Sequence, residues 1–171
     1  MTFSNPLRKF ILLAHVITSV GLIGAVASFL LLAIIGMLSG DPQIVRSSYV
    51  VMNPLAAFLI LPLVVLSLLI GVVASLGTPW GLVRYYWITA KLLATVLTLI
   101  VLLLQMNAIA QLSAIAAERM MTDADMGLRM RMIIHAGGGL VVLLIIMVLS
   151  IYKPRGLTSY GQSKLTRLNE Q

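Results

Sequence analysis

Long apolar runs separated by short polar segments set the pattern of this chain. Four of these runs, at about residues 10–38, 55–76, 85–107 and 132–152, are long enough to cross ~30 Å of hydrocarbon as helices. Only short loops separate the first three runs, so consecutive helices should be antiparallel neighbours. The pattern therefore predicts an all-α protein, a four-transmembrane-helix antiparallel bundle within residues 1–153.

Two polar segments carry the signals of helix starts. Asp41-Pro42 combines an N-cap acid with proline at the first helical position. The second helix is therefore expected to begin before its apolar run and to bend at Pro54 and Pro62. Thr122–Asp125 places acids at the positive end of the fourth helix dipole. The polar residues 154–171 are predicted to form a flexible cytoplasmic tail.

The composition agrees with a membrane protein. Apolar residues make up 60% of the chain and charged residues only 10%, with a mean hydropathy of +1.06, whereas soluble domains carry roughly 25% charged residues. The lipid bilayer is therefore the expected solvent. The net charge of +7 comes from residues at the ends of apolar runs, which favours lipid headgroups as partners and not nucleic acid. The absence of cysteine excludes disulfides and thiolate chemistry.

The basic residues are divided unequally between the two ends of the predicted bundle. One end would carry Arg8, Lys9, Arg84, Lys153, Arg155, Lys164 and Arg167. The other end would carry Arg46, Arg119, Arg129 and Arg131, together with Asp41, Glu118, Asp123 and Asp125. The positive-inside rule places the richer end, and with it both termini, in the cytoplasm.

A lysine inside the third apolar run is the strongest hint of a site. Lys91 lies in a stretch with no acidic residue between Asp41 and Glu118. Charges at membrane depth mark functional sites or side chains that snorkel to the interface. A rise of ~1.5 Å per residue from the flanking charges places Lys91 and His15 at a similar depth, about 10 Å inside the cytoplasmic boundary.

The same level offers two hydroxyl groups. Ser19 lies one turn above His15, and Thr95 lies one turn above Lys91 on a polar face. These four residues are candidate ligands of a haem or quinone. The alternatives are that Lys91 snorkels and that His15 makes an interhelical hydrogen bond.

A second candidate site lies near the opposite end of the bundle. Six of the ten methionines fall between residues 106 and 132, and His135 follows three residues after Met132. Thioether and imidazole ligands suit Cu(I), so His135, Met132 and Met106 are candidate copper ligands. The alternative is that the methionines fill gaps in the bundle as flexible apolar side chains.

Small residues on two helices have two interpretations. The first helix carries Gly21, Gly24, Ala25 and Ser28, and the fourth carries Ala136–Gly139. Such residues usually form close contacts between membrane helices. The alternative for the consecutive glycines is that they leave room for a flat ligand.

Several motifs together resemble a known family. They are His15-Val-Ile-Thr-Ser-Val-Gly21, Trp80-Gly-Leu-Val-Arg84-Tyr-Tyr-Trp87 with Lys91-Leu92, His135-Ala-Gly-Gly-Gly139, Tyr152-Lys-Pro-Arg-Gly156 and Tyr160-Gly161. Over nearly the whole chain they resemble a bacterial family of uncharacterised predicted integral membrane proteins. The resemblance implies a multi-pass protein of the bacterial cytoplasmic (inner) membrane and no particular activity. A looser similarity, in the lysine after a tryptophan and the scattered His and Met, is to the membrane domain of copper-resistance protein D.

Three functional hypotheses remain open from the sequence. The first is a protein that holds haem or quinone near His15 and Lys91. The second is a structural subunit that docks another membrane protein or a second copy of itself. The third is copper handling at the outer-side Met and His residues. No nucleophile-and-base pair, phosphate loop or carboxylate pair occurs, so nothing in the sequence indicates an enzyme.

Overall fold

A computed structural model describes residues 3–77, 81–152, 154, 156–158 and 162. Trp80, the tail cations Lys153, Arg155, Lys164 and Arg167, and Tyr160-Gly161 lie outside the described residues, as does most of the predicted tail. The helices are α1 (Asn5–Leu38), α2 (Pro42–Leu55), α3 (Leu61–Leu76), α4 (Tyr86–Glu118) and α5 (Met126–Tyr152), with a π-helical turn at Ala56–Ile60 and a 3₁₀ turn at Asp123–Asp125.

The described part of the chain is all-helical, and four of its helical stretches are long and apolar enough to cross a membrane. They are α1, the continuous helix from α2 to α3, α4, and α5 with its preceding turn. The helix from α2 to α3 and the helix α5 each pack against both α1 and α4. Their shared core includes Leu22, Tyr49, Val64, Leu112 and Met132. The membrane protein predicted from the apolar pattern is thus supported by helix length and composition.

Both predicted helix starts are confirmed. The Asp41 carboxylate accepts a hydrogen bond of 2.8 Å from the Gln43 backbone N–H, which satisfies a donor at the start of α2. Thr122 and Asp125 form a reciprocal capping box before α5. The first-turn acid Asp125 is also fixed by two hydrogen bonds from Arg119, of 2.7 and 2.8 Å.

A π-helical turn, Ala56–Ile60, lies between the two prolines at which a bend is predicted. Pro54 has no N–H, so the Val50 carbonyl one turn earlier loses its helical partner. The Ser113 hydroxyl on α4 donates a hydrogen bond of 3.1 Å to that carbonyl. Side-chain donors from a neighbouring helix are a usual way to satisfy such groups in lipid. The irregular segment is thereby tied to α4.

α4 continues well beyond the apolar run predicted at residues 85–107. One face of its additional turns, including Ala108, Leu112 and Ala116, is buried in the core beside α2. Alanine-rich turns have high helix propensity, which explains why the helix extends past the apolar run. Arg46 on α2 donates a 2.5 Å hydrogen bond to the Ala117 carbonyl at the end of α4.

Backbone contacts join segments that are far apart in the sequence at two places. Phe3 donates to the Gly77 carbonyl at 3.3 Å, just after α3. Tyr86 donates to the Gly156 carbonyl at 3.3 Å, and Thr158 donates to the Arg84 carbonyl at 3.0 Å. The first described residues after α5 therefore pair with the segment that precedes α4.

A close contact near the other end of α1 depends on glycine. Gly36 is buried, and a Cβ placed there would lie 2.7 Å from Cζ of the Tyr49 ring. Tyr49 is itself fully buried and accepts a 3.0 Å hydrogen bond from Arg129 Nε on α5. The ring therefore cannot move away without disturbing a contact among α1, α2 and α5.

We expect Gly36→Ala to destabilise the protein by about 1–3 kcal/mol, because the new methyl group overpacks the site against Tyr49. Gly24→Ala is the matched control on the same helix, because nothing lies within 4 Å of the added Cβ. The control should be neutral or stabilising by up to ~1 kcal/mol. Thermal unfolding in mild detergent, followed by circular dichroism, measures both. Equal effects of the two substitutions would contradict the contact.

Candidate functional site

An apolar cleft of about 320 Å³ lies between α1, α3, α4 and α5. Its apolar wall includes Leu22, Val26, Phe29, Val64, Val101 and Val142. Leu97 on α4 and Ile134 on α5 also line it and are 58% and 62% exposed, so the cleft opens between these two helices. The volume falls at the lower end of the range for small-molecule pockets.

The consecutive glycines form part of the cleft wall. Gly138 and Gly139 line the cleft, and nothing lies within 4 Å of a Cβ placed at Gly137, Gly138 or Gly139. The interpretation of these glycines as a close helix contact is therefore wrong, and only the preceding Ala136 is buried against the bundle. Glycine at these positions instead leaves space, as the alternative interpretation expected.

Among the described residues, the polar side chains that line the cleft are Thr98, Gln105 and His135. The His135 Nδ1 atom lies 2.8 Å from the Arg131 carbonyl in the preceding turn. Because a carbonyl can only accept, Nδ1 must carry the proton in this hydrogen bond. In the neutral ring Nε2 is then an acceptor, able to receive a hydrogen bond or to bind a metal.

The Gln105 side chain is also held by Arg131, in an orientation that leaves hydrogen-bond donors available. Its Oε1 atom accepts a 2.7 Å hydrogen bond from Arg131 Nε, so its amide NH₂ group keeps its two donors. Arg131 thus orients both polar groups, through its backbone carbonyl at His135 and its side chain at Gln105. The cleft consequently offers the His135 acceptor and the Gln105 amide donors, beside a Thr98 hydroxyl that donates to the Ala94 carbonyl of its own helix.

The predicted copper ligands are partly brought together. Met132 is buried and lines the cleft with His135. Met106 packs against the hydrophobic core and is not among the residues that line the cleft. No group of three His, Asp or Glu residues that could hold a metal occurs in the part of the chain that the structure describes. Copper binding at His135, Met132 and Met106 stays a prediction.

The first predicted site lies between α1, α3 and α4. Lys91 is close enough to His15 for a Coulombic interaction between the two side chains. The His15 ring packs on Gly71 of α3, where a Cβ would lie 3.0 Å from Cε1. His15 Nδ1 is buried and has no hydrogen-bond partner among the described residues. Nδ1 makes no interhelical bond, but the Ser67 backbone on α3 lies within hydrogen-bonding reach of the ring, so an interhelical hydrogen bond stays open as the explanation of this histidine.

The other groups at this level make contacts within the protein. The Ser19 and Ser67 hydroxyls are 3.0 Å apart and link α1 to α3. Thr95 donates a 2.9 Å hydrogen bond to the Lys91 carbonyl of its own helix. Lys91 Nζ lies 5.1 Å from the centre of the Trp87 ring, one turn nearer the start of α4. This geometry favours the snorkelling interpretation of Lys91.

The structure also reveals a buried cation that sequence reasoning had treated only as a topology signal. Arg129 is 9% exposed and donates hydrogen bonds to Tyr49, Gly36 and Met37. Its position three residues before Met132, at the start of an apolar helix, was the available signal. Near it, Arg119 pairs with Asp125, and this hydrogen-bonded contact raises the pKa of Arg119.

Comparison of the chain with protein-family models, with curated proteins and with solved structures gives no match. Inferences about function therefore depend on the geometry of the cleft and of the His15 level.

We expect His15→Leu to change the stability by less than about 1 kcal/mol, because loss of the hydrogen bond with the Ser67 backbone offsets removal of a buried Nδ1 without a partner. Ser67→Ala is a useful contrast, because it removes the observed Ser19–Ser67 contact and should cost about 0.6 kcal/mol. Thermal unfolding in mild detergent measures both. A loss above 1 kcal/mol for His15→Leu would mean that this histidine stabilises the fold.

Proposed function

We propose that this chain is a multi-pass integral membrane protein that binds a lipid-soluble quinol in the cleft between α4 and α5. The observation that carries the proposal is the open wall of Gly138 and Gly139 beside the oriented His135 and Gln105 side chains. A flat ring suits a wall without side chains. The exposed apolar side chains of Leu97 and Ile134 at the opening of the cleft would allow the quinol to enter from the lipid phase.

The hydrogen-bonding groups favour the reduced form of such a ring. A quinol hydroxyl can donate to His135 Nε2 and accept from the Gln105 amide. A quinone has only acceptor oxygens, so it would leave Nε2 without a donor. The proposed specificity therefore follows from the two hydrogen bonds that Arg131 makes to His135 and Gln105.

Haem fits the cleft less well than a quinol does. His135 Nε2 could serve as an axial ligand, but no lysine or arginine of the described ranges lines the cleft to pair with propionates. A haem needs an axial ligand and a cation for its propionates. The level of His15 and Lys91 offers both, a histidine nitrogen without a hydrogen-bond partner and a cation beside it. A haem or quinone held there, near Ser19 and Thr95, is the second candidate function.

The arrangement in the membrane is part of the proposal. The contacts of Phe3 with Gly77 and of Thr158 with Arg84 support antiparallel neighbours with both termini at one end. The excess of basic residues in the terminal segments supports a cytoplasmic location for that end. Placement in the bacterial inner membrane and membership of the family of predicted membrane proteins rest on the sequence resemblance.

The other two hypotheses are alternatives to ligand binding. A structural subunit would use the exposed apolar helix faces to contact a partner or a second copy. Copper handling would use Met132 and His135, which share the cleft.

A short-chain benzoquinol should bind the purified protein more tightly than its oxidised form, by about fivefold to tenfold. This ratio corresponds to the ~1 kcal/mol of one neutral hydrogen bond. Isothermal titration calorimetry in detergent, under reducing and oxidising conditions, measures the two affinities. Gly138→Leu should abolish binding because the side chain fills the cleft. Gly137→Leu is the matched control, because Gly137 is equally uncrowded but does not line the cleft. Equal loss in both variants, or none in Gly138→Leu, would refute the site.

We expect the protein purified from its native membranes to show no Soret band, in either the oxidised or the dithionite-reduced spectrum. A Soret band that disappears in His15→Ala and persists in His135→Ala would support haem at the second candidate site. A band with the opposite dependence would place haem in the cleft and overturn the quinol assignment.

A further inference from the structure

A polar bowl of about 890 Å³ lies where α1 and α4 end and α2 and α5 begin. Its charged lining consists of Arg46, Glu118, Arg119 and Arg129. Ser39 and Gln43 add polar groups from the segment that joins α1 to α2. Because the bowl lies at helix ends, it would be level with lipid headgroups in a spanning bundle.

The three arginines of the bowl differ in how their charge is balanced. Arg119 forms a bidentate ion pair with Asp125, with distances of 2.7 and 2.8 Å. Arg46 donates to the Ala117 carbonyl and has no ion pair with a carboxylate among the described residues. In the part of the chain that the structure describes, Glu118 alone contributes a carboxylate to the lining. Arg46 and Arg129 together therefore exceed the remaining negative charge by one unit.

Arg129 is the deepest of these cations. Nε donates to the Tyr49 hydroxyl at 3.0 Å, and Nη2 donates to the Gly36 carbonyl at 2.8 Å and to the Met37 carbonyl at 3.3 Å. Nη1 takes part in none of these bonds, and no carboxylate pairs with Arg129 in the described ranges. The carbonyls at the end of α1 supply only about half a negative charge. A cation that is nine-tenths buried requires more compensation than that.

We infer that the bowl binds a phosphate oxyanion, with Arg129 at its base and Arg46 at its side. An arginine whose Nε and Nη2 are held by the protein presents its remaining nitrogen in a fixed direction, which suits phosphate recognition. The phosphate could belong to a lipid headgroup or to a soluble molecule. The site lies away from the cleft and does not depend on quinol binding.

The test uses the full-length protein in uncharged detergent. Inorganic phosphate, titrated against chloride at equal ionic strength, should raise the thermal unfolding midpoint in a saturable manner. A diacyl phosphate added to the micelles tests the lipid source. Native mass spectrometry counts retained lipid. Saturation by either probe supports the site, and the probe with the higher affinity identifies the source of the phosphate.

Arg129→Gln should weaken binding of the effective probe at least about tenfold, since one charge-assisted contact is lost. Arg46→Gln should weaken it too, and it serves as the second variant if Arg129→Gln does not fold. Arg8→Gln is the matched control, because it removes an exposed arginine that does not line the bowl. No saturable effect of either probe, or an equal loss in the Arg8 control, would overturn the inference.

Discussion

A polar group that leaves water inside a membrane must find its partner within the protein, and most of this structure follows from that constraint. Ser113 donates to the carbonyl that Pro54 leaves without a helical partner. The Thr95 hydroxyl donates a hydrogen bond to the Lys91 carbonyl of its own helix. His135 does the same through Nδ1, at the Arg131 carbonyl. Each of these bonds also fixes the orientation of a side chain, and the Ser113 bond ties α4 to the helix that contains Pro54.

Because this constraint is so widely met, its exceptions are informative. His15 Nδ1 is buried without a hydrogen-bond partner among the described residues. Arg129 is buried with carbonyl and hydroxyl acceptors but pairs with no carboxylate in the described part of the chain. A bundle that had only to fold would need neither a buried nitrogen without a partner nor a buried cation without a carboxylate. Each of these groups is explained if it meets a group from outside the chain.

The helix architecture could be predicted from the sequence because it depends on local chemistry. Apolar length sets the four helical stretches, and Asp41 and Thr122 cap helices with their own neighbours. The π-helical turn follows Pro54, which removes a backbone donor wherever it lies in a helix. None of these features requires knowledge of which helices touch.

The candidate site could be predicted only in part, because it depends on helix rotation. A rotation of one residue moves a side chain by ~100° around the helix, and composition in lipid constrains this angle weakly. Gly138 and Gly139 could equally have met another backbone, and the structure instead opens them to a cleft. The depth of His15 and Lys91 could be estimated by counting residues, because the rise per residue of a helix is constant. The role of Trp87 beside Lys91 required coordinates.

Arg131 shows how a single surface residue can connect the fold to the site. It is exposed, and by position it counts only toward the charge at one end of the bundle. Yet its carbonyl fixes the proton of His135 on Nδ1, and its side chain holds the oxygen of Gln105. Arg131 does not line the cleft, yet it orients the imidazole acceptor and the amide donor that do. In an apolar cavity with so few polar atoms, that arrangement decides which hydrogen-bonding pattern a ligand must present.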